Sequence, residues 1–177
     1  MNTTLKNIAK MTAIATLLAS AGLSQARAAT ANVGVSASVA QNCTITSTPV
    51  AFGAYDPVSG SSITAAGTVV VACTKAASSL TVGLDNGANA VTGQRNLKGS
   101  VTSDKLAYSL MQPTTTTPGA ACPAMGTGTA WTTAAPLTLT SPTSKTARTY
   151  NVCGQLASGQ DVSVDSYSDT VIATINF

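Results

Sequence analysis

The residues of this 177-residue chain with the widest chemical reach are four cysteines and six aspartates. Cys43, Cys73, Cys122 and Cys153 are even in number, far apart and without a CxxC pair. Such spacing points to disulfides in an oxidising compartment rather than to zinc or dithiol redox chemistry. Three connectivities are open. Sequential pairing, Cys43–Cys73 and Cys122–Cys153, is favoured because each bridge closes a loop of about 30 residues, worth roughly 3–4 kcal/mol of chain entropy. The chain contains no His and no Glu. It can therefore build no Ser-His-Asp or Cys-His relay and no imidazole metal site. Any acid–base pair would have to come from Asp56, Asp85, Asp104, Asp161, Asp165 and Asp169, which read as turn formers and solvated positions. No GxSxG elbow and no phosphate loop occur. Gly93-Gln-Arg-Asn-Leu-Lys-Gly99 has the wrong glycine spacing and Lys position for a phosphate cradle, and reads as a polar connection. These residues point away from an enzyme and call for no cofactor and no metal.

Charge is sparse: 8% of the chain, against roughly 25% in an ordinary soluble domain. The net +3 belongs to Lys6, Lys10 and Arg27, and the six remaining cations balance the six aspartates. No basic footprint is left for a nucleic acid. Residues 1–28 read as an export signal: the two lysines, the short apolar run Met11–Leu23, and a small-x-small site at Ala26-Arg27-Ala28. The run falls short of the roughly 20 apolar residues that span a membrane. Cleavage after Ala28 leaves a mature chain of about 149 residues, enough for one domain with a core.

The mature chain is rich in Thr, Ser, Val, Ala and Gly, with short β-type runs between turn signals. Cys43–Ser47 is one strand, interrupted by Pro49 and followed by Val50–Phe52. Gly67–Cys73 is apolar enough to be central, Leu80–Leu84 alternates, and Asp85-Asn-Gly-Ala-Asn supplies a turn. Leu106–Met111 alternates again. Residues 112–136 carry repeated Pro breaks and a Thr run, and read as a long loop tethered by Cys122, with Trp131 capping the core or lying against it. Arg148–Cys153 is a strand ended by Gly154, and Asp169–Phe177 closes the chain. Strands at this spacing without helical patterns predict an all-β, antiparallel β-sandwich.

The two ends raise a packing question. Val171, Ala173, Ile175 and Phe177 share one face of the closing strand, which has no later strand to pair beside it. Near the other end, Ala31, Val33, Val35, Ala37 and Val39 form a period-two apolar row, before the first cysteine and outside both expected disulfide loops. An ordinary first strand that closes its own sandwich is one reading. The other is strand addition between molecules, in which this segment fills the open groove of a second copy. That contact is head-to-tail and can build a fibre.

Specific stretches carry a resemblance: Cys43-Thr-Ile, Phe52-Gly-Ala-Tyr55, Val69-Val-Val-Ala-Cys73-Thr, Leu106-Ala-Tyr-Ser-Leu110 and Tyr167-Ser-Asp-Thr-Val-Ile-Ala-Thr-Ile175. Across residues 43–177 the chain resembles the spore coat protein U domain family. Within it the chain is similar to the pilins of archaic chaperone–usher pili, in particular the major subunit of the Csu type. The family's closing motif often has Gly two positions before the Tyr, where this chain has Asp165. The resemblance implies an incomplete immunoglobulin-like sandwich that lacks its final strand and is completed by donor-strand complementation. It implies a donor segment at residues 29–41, with Ala31, Val33, Val35, Ala37 and Val39 along it, and a pilin domain at 42–177. Val171, Ala173, Ile175 and Phe177 then form one groove wall, and the family's first disulfide corresponds to Cys43–Cys73. The implied partners are a periplasmic chaperone that anchors the subunit near Phe177, an outer-membrane usher, copies of the chain itself and other pilin subunits. The implied destination, through the periplasm, is a surface pilus supporting attachment and biofilm formation. The alternative is a secreted carbohydrate-binding or adhesin sandwich. A sugar site calls for exposed aromatics, and aromatics make up 4% of the chain with a single Trp.

Overall fold

The computed structural model describes residues 27–177, so the expected export signal at 1–28 lies outside the described residues apart from Arg27 and Ala28. The chain divides into Met1–Ala37 and Ser38–Phe177. In the first unit, the described residues carry no strand and are all exposed.

The second unit is all-β, with no helix among the described residues. Its strands are β1 (Cys43–Thr48), β2 (Ile63–Cys73), β3 (Thr81–Leu84), β4 (Asn96–Gly99), β5 (Lys105–Ala107), β6 (Ser109–Met111), β7 (Leu137–Thr138), β8 (Arg148–Leu156), β9 (Tyr167–Ser168) and β10 (Ala173–Asn176). They form a four-stranded sheet, β1-β2-β8-β6, and two three-stranded sheets, β10-β3-β7 and β5-β4-β9. Every pairing is antiparallel. β2 is central, paired with β1 on one side and β8 on the other; Val69, Val71 and Cys73 of its apolar run face the core, with Val70 and Ala72 half-buried on the other face.

The core lies between the first two sheets. Val69 and Val71 of β2, Tyr150 and Val152 of β8, and Leu110 of β6 meet Val82 and Leu84 of β3 and Leu137 of β7. Trp131, from the long loop, is fully buried among them. Its backbone N–H donates to Leu110 O at 2.8 Å and its indole N–H to Val82 O at 2.7 Å, so one residue ties the two sheets together.

Several boundaries differ from the sequence reading. β8 runs through Gly154 to Leu156, because its ladder with β2 continues to Ile63 opposite Leu156; a Cβ at Gly154 would lie 2.5 Å from Val50 and 2.8 Å from Phe52. The glycine makes room for a crossing segment and does not end the strand. The Leu106–Met111 run splits at Tyr108 into β5 and β6, which join different sheets. The polar connection at 93–99 contains β4 and the buried side chains of Arg95 and Asn96. The closing strand is confined to Ala173–Asn176, with Tyr167–Ser168 leaving to pair with β4.

Candidate functional site

The inward side chains of most strands are buried, but those of β1 and β10 are not. Cys43 and Ile45 of β1, and Ala173 and Ile175 of β10 with Val171 before it, pack on the core while remaining half-buried. Val50 and Phe52, just past Pro49, and Leu97 of β4 share that state. β1 pairs only with β2 and β10 only with β3, and the two strands lie side by side with no backbone ladder between them. An apolar seam therefore opens between two unpaired strand edges.

The seam has depth. A cavity of about 270 Å³ is lined by Pro49, Val50, Phe52, Tyr108, Val171 and Ala173, among others. A second, of about 580 Å³, shares Val50, Phe52 and Leu97 with the first and continues between residues 53–57 and 162–167. Ile172 exchanges backbone bonds with the Asp85 side: Asp85 N–H donates to Ile172 O at 3.0 Å, and Ile172 N–H to Asp85 Oδ1 at 2.9 Å. By antiparallel alternation, the N–H and C=O groups of Ala173 and Ile175 face the unpaired edge.

Polar side chains fix the start of β10. Tyr108 donates its hydroxyl to Asp169 Oδ2 at 2.7 Å, and Asp169 Oδ1 accepts the backbone and side-chain N–H groups of Asn89 at 3.1 and 3.0 Å. Burial, reinforced by the Asp169 hydrogen bond, pushes the Tyr108 hydroxyl well above its ordinary value, so it stays a donor. Buried Arg95 donates to the carbonyls of Leu84, Asp85 and Trp131. Desolvation lowers its pKa, with Tyr108, Asp85 and Asp169 opposing that shift. Phe52 meets Tyr108 edge to face at 6.0 Å.

Of the groove residues read from sequence, Val171, Ala173 and Ile175 line this seam as half-buried positions. Phe177 lies beyond β10 and is 51% exposed. The facing wall of Ile45, Val50 and Phe52 was missed. Its signal was present in the alternation Cys43, Ile45 and the apolar pair resuming after Pro49. Val33, Val35 and Val39 are 85%, 92% and 84% exposed, and Ala31 and Ala37 are exposed too. The structure holds the disulfides Cys43–Cys73, joining β1 to β2, and Cys122–Cys153, joining the long loop to β8. Among the described residues, no group of His, Cys, Asp or Glu is placed to hold a metal.

No curated protein matches the chain at a significant level. Among solved structures, the fold is similar to a complex from the archaic chaperone–usher Csu pili of Acinetobacter baumannii, the CsuC–CsuE chaperone–tip adhesion subunit pre-assembly complex. The match has a TM-score of 0.52 at 19% identity, and covers 78% of this chain and 40% of that one. The chain thus spans less than half the length of that neighbour. Residues 29–174 match the Spore Coat Protein U domain model, and with most of its length inside that match the chain belongs to the Spore Coat Protein U domain family.

Proposed function

We propose that the chain is a structural subunit of a chaperone–usher surface pilus, polymerising by donor-strand exchange. The carrying observation is the seam between the unpaired edges of β1 and β10, where core-facing Ile45, Val50, Phe52, Val171, Ala173 and Ile175 are left half-buried. One further strand would complete the sandwich. Residues 30–40 have the pattern such a strand needs, with Val33, Val35 and Val39 on one side of a period-two row and small or polar residues on the other. Backbone pairing to β10 gives generic affinity, and the alternating valines entering the seam set register.

Each valine fully buried there contributes roughly 1.5–3 kcal/mol, the alanines less, against the cost of ordering the segment. Several such anchors with a complete backbone ladder make the junction long-lived, governed by its unfolding rate. A free subunit, with an apolar seam and two bare edges, needs a periplasmic chaperone until an outer-membrane usher passes it to the next copy. The family and the chaperone-bound neighbour support these partners, and with them export to the surface as a pilus that serves attachment and biofilm formation.

The neighbour contains a tip adhesion subunit. The donor-type segment at 30–40 favours a different place here, in the shaft, where a subunit both gives and receives a strand. The domain division follows: export signal 1–28, donor 29–41, pilin body 42–177. The test is the double substitution Val33→Asp with Val35→Asp. The variant should still form its disulfides and remain chaperone-bound, yet build no fibres by itself. Normal fibres from it would remove the donor role.

A further inference from the structure

The charges of the body are sorted by end, and we infer that this sorting forms a second contact between successive copies of the chain, an electrostatic junction flanking the inserted strand. The inference rests on the strand-exchange reading above.

One end of the sandwich is fixed by Cys43 opposite Cys73 and Val71 opposite Arg148. Its loops are knitted together: Ala76 N–H donates to Pro142 O at 2.8 Å, Ser141 Oγ to Ala77 O at 2.8 Å, and Arg148 Nη1 to Thr140 O at 2.6 Å. The ionised side chains there are Lys75, Lys145 and Arg148, with both lysines exposed. The opposite end is fixed by Ile63 facing Leu156. There Gln160 N–H donates to Tyr55 Oη at 2.8 Å, Ser158 N–H to Ser62 Oγ at 3.2 Å, and Ser163 N–H to Asp104 Oδ2 at 2.8 Å. That end gathers Asp56, Asp104, Asp161 and Asp165, with Asp56 and Asp161 exposed. Lys98 and Lys105 on β4 and β5 offset part of this charge, and Lys105 Nζ is engaged at 3.1 Å with Asn89 O. Arg95, Asp85 and Asp169 lie between, around the start of β10.

The direction of the incoming strand decides which ends meet. The chain leaves its own body at Asn42, whose carbonyl accepts Thr74 N–H at 2.8 Å, at the basic end. β10 runs towards that same end, with Ala173 opposite Leu84 and Asn176 opposite Thr81. A donor antiparallel to β10 must therefore emerge from the acceptor at the acidic end. Its own basic end then abuts Asp56 and Asp161 of the acceptor. A donor parallel to β10 would bring two basic ends together and be repelled. The balanced total charge conceals a dipolar body whose ends match in only one of the two strand directions. Charges at the rim of a contact act mainly on the rate of encounter and on its salt dependence.

The test uses the full chain purified with its chaperone, following the appearance of multimers that survive detergent without heating. Relative to wild type in about 50 mM salt, Lys75→Glu with Lys145→Glu should slow multimer formation by about tenfold. Asp56→Lys with Asp161→Lys should do the same, and a mixture of the two variants should form mixed junctions faster than either forms its own. Wild-type assembly should slow as salt rises to about 0.5 M, where the Debye length falls to a few ångströms. That wild-type arm stands even if a charge variant folds poorly. Multimer rates indifferent to salt and to both reversals overturn the junction and leave strand exchange intact. A wild-type chain that forms no multimers overturns both.

Discussion

Gly154 is where a single atom would matter most. The Val50–Phe52 segment crosses β8 so closely that no Cβ fits there. Gly154→Val should destabilise the subunit by about 1–3 kcal/mol through forced overpacking, read as a lower denaturation midpoint of a chain with residues 30–40 appended after Phe177 through a flexible linker. Tyr150 offers the opposite case: it is buried, and its hydroxyl has no partner among the described residues. Burial raises its pKa accordingly. Removing an unsatisfied group costs little, so Tyr150→Phe should leave stability unchanged or raise it by about 1 kcal/mol in the same measurement. Asp165, half-buried, accepts Ser100 Oγ at 2.7 Å, Thr102 N–H at 2.8 Å and Val101 N–H at 2.9 Å. Those bonds, the Ser100 hydroxyl first, hold its carboxyl well below the usual range. A depressed carboxylate contributes stability above its unfolded pKa of about 4 and loses it as pH falls through the folded value. The Val101 and Thr102 amide resonances should therefore move with a midpoint below about pH 4, and a midpoint at or above it would contradict the cap. Asp165 was legible in the sequence as a departure from the family motif, but its partners lie more than 60 residues away. Gly154 misled for the same reason: its cause is a non-local crossing, and local pattern carries only local causes.

At the scale of elements, alternation was a reliable guide wherever a strand has one buried face. β1, β3 and the core-facing side of β10 follow from Cys43-x-Ile45, Leu80-x-Val82-x-Leu84 and Val171-x-Ala173-x-Ile175. β4 escaped notice because Arg95 and Asn96 read as surface residues, yet both are buried: Arg95 donates to the Leu84 and Trp131 carbonyls of other segments, and Asn96 to Gln94 O two residues back. The 112–136 loop was legible as a tethered loop from its prolines and Cys122. Its seat was not. Alternate positions of β8 grip it from one face: Thr149 O accepts Gly119 N–H, Asn151 donates to Ala120 O, Cys153 bonds Cys122, and Gln155 accepts Gly126 N–H while donating to Ala124 O. These grips cover the outer face of β8, and so explain why a strand with Asn and Gln on it is buried almost throughout. Gln155→Leu should strand the Gly126 N–H, while Ala124 O keeps its bonds from Thr127, costing about 1–3 kcal/mol and opening residues 119–127 to protease at an unchanged disulfide content. Equal proteolysis of variant and wild type would show that the Gln155 bonds do not hold the loop.

At the largest scale, residues 38–177 form a sandwich whose first two sheets leave an apolar seam between the unpaired edges of β1 and β10. That opening could be anticipated from a closing strand with an apolar face and an early segment with a matching row, because both are period-two patterns. The depth of the seam could not, since it depends on Val50, Phe52 and Leu97 arriving from three-dimensional neighbours. If the seam takes a strand, appending residues 30–40 after Phe177 through a short flexible linker should convert the chain into a soluble monomer with a markedly higher denaturation midpoint. A single-chain fusion of this kind removes most of the entropy cost of association. The most direct measurement is backbone amide exchange of the full chain with and without a synthetic peptide of residues 30–40. The Ala173 and Ile175 amides, which face the unpaired edge, should become strongly protected when the peptide binds, and a peptide carrying Val33→Asp and Val35→Asp should leave them exchanging freely. Unchanged exchange at both amides, with the unsubstituted peptide in excess, would contradict strand acceptance at this groove.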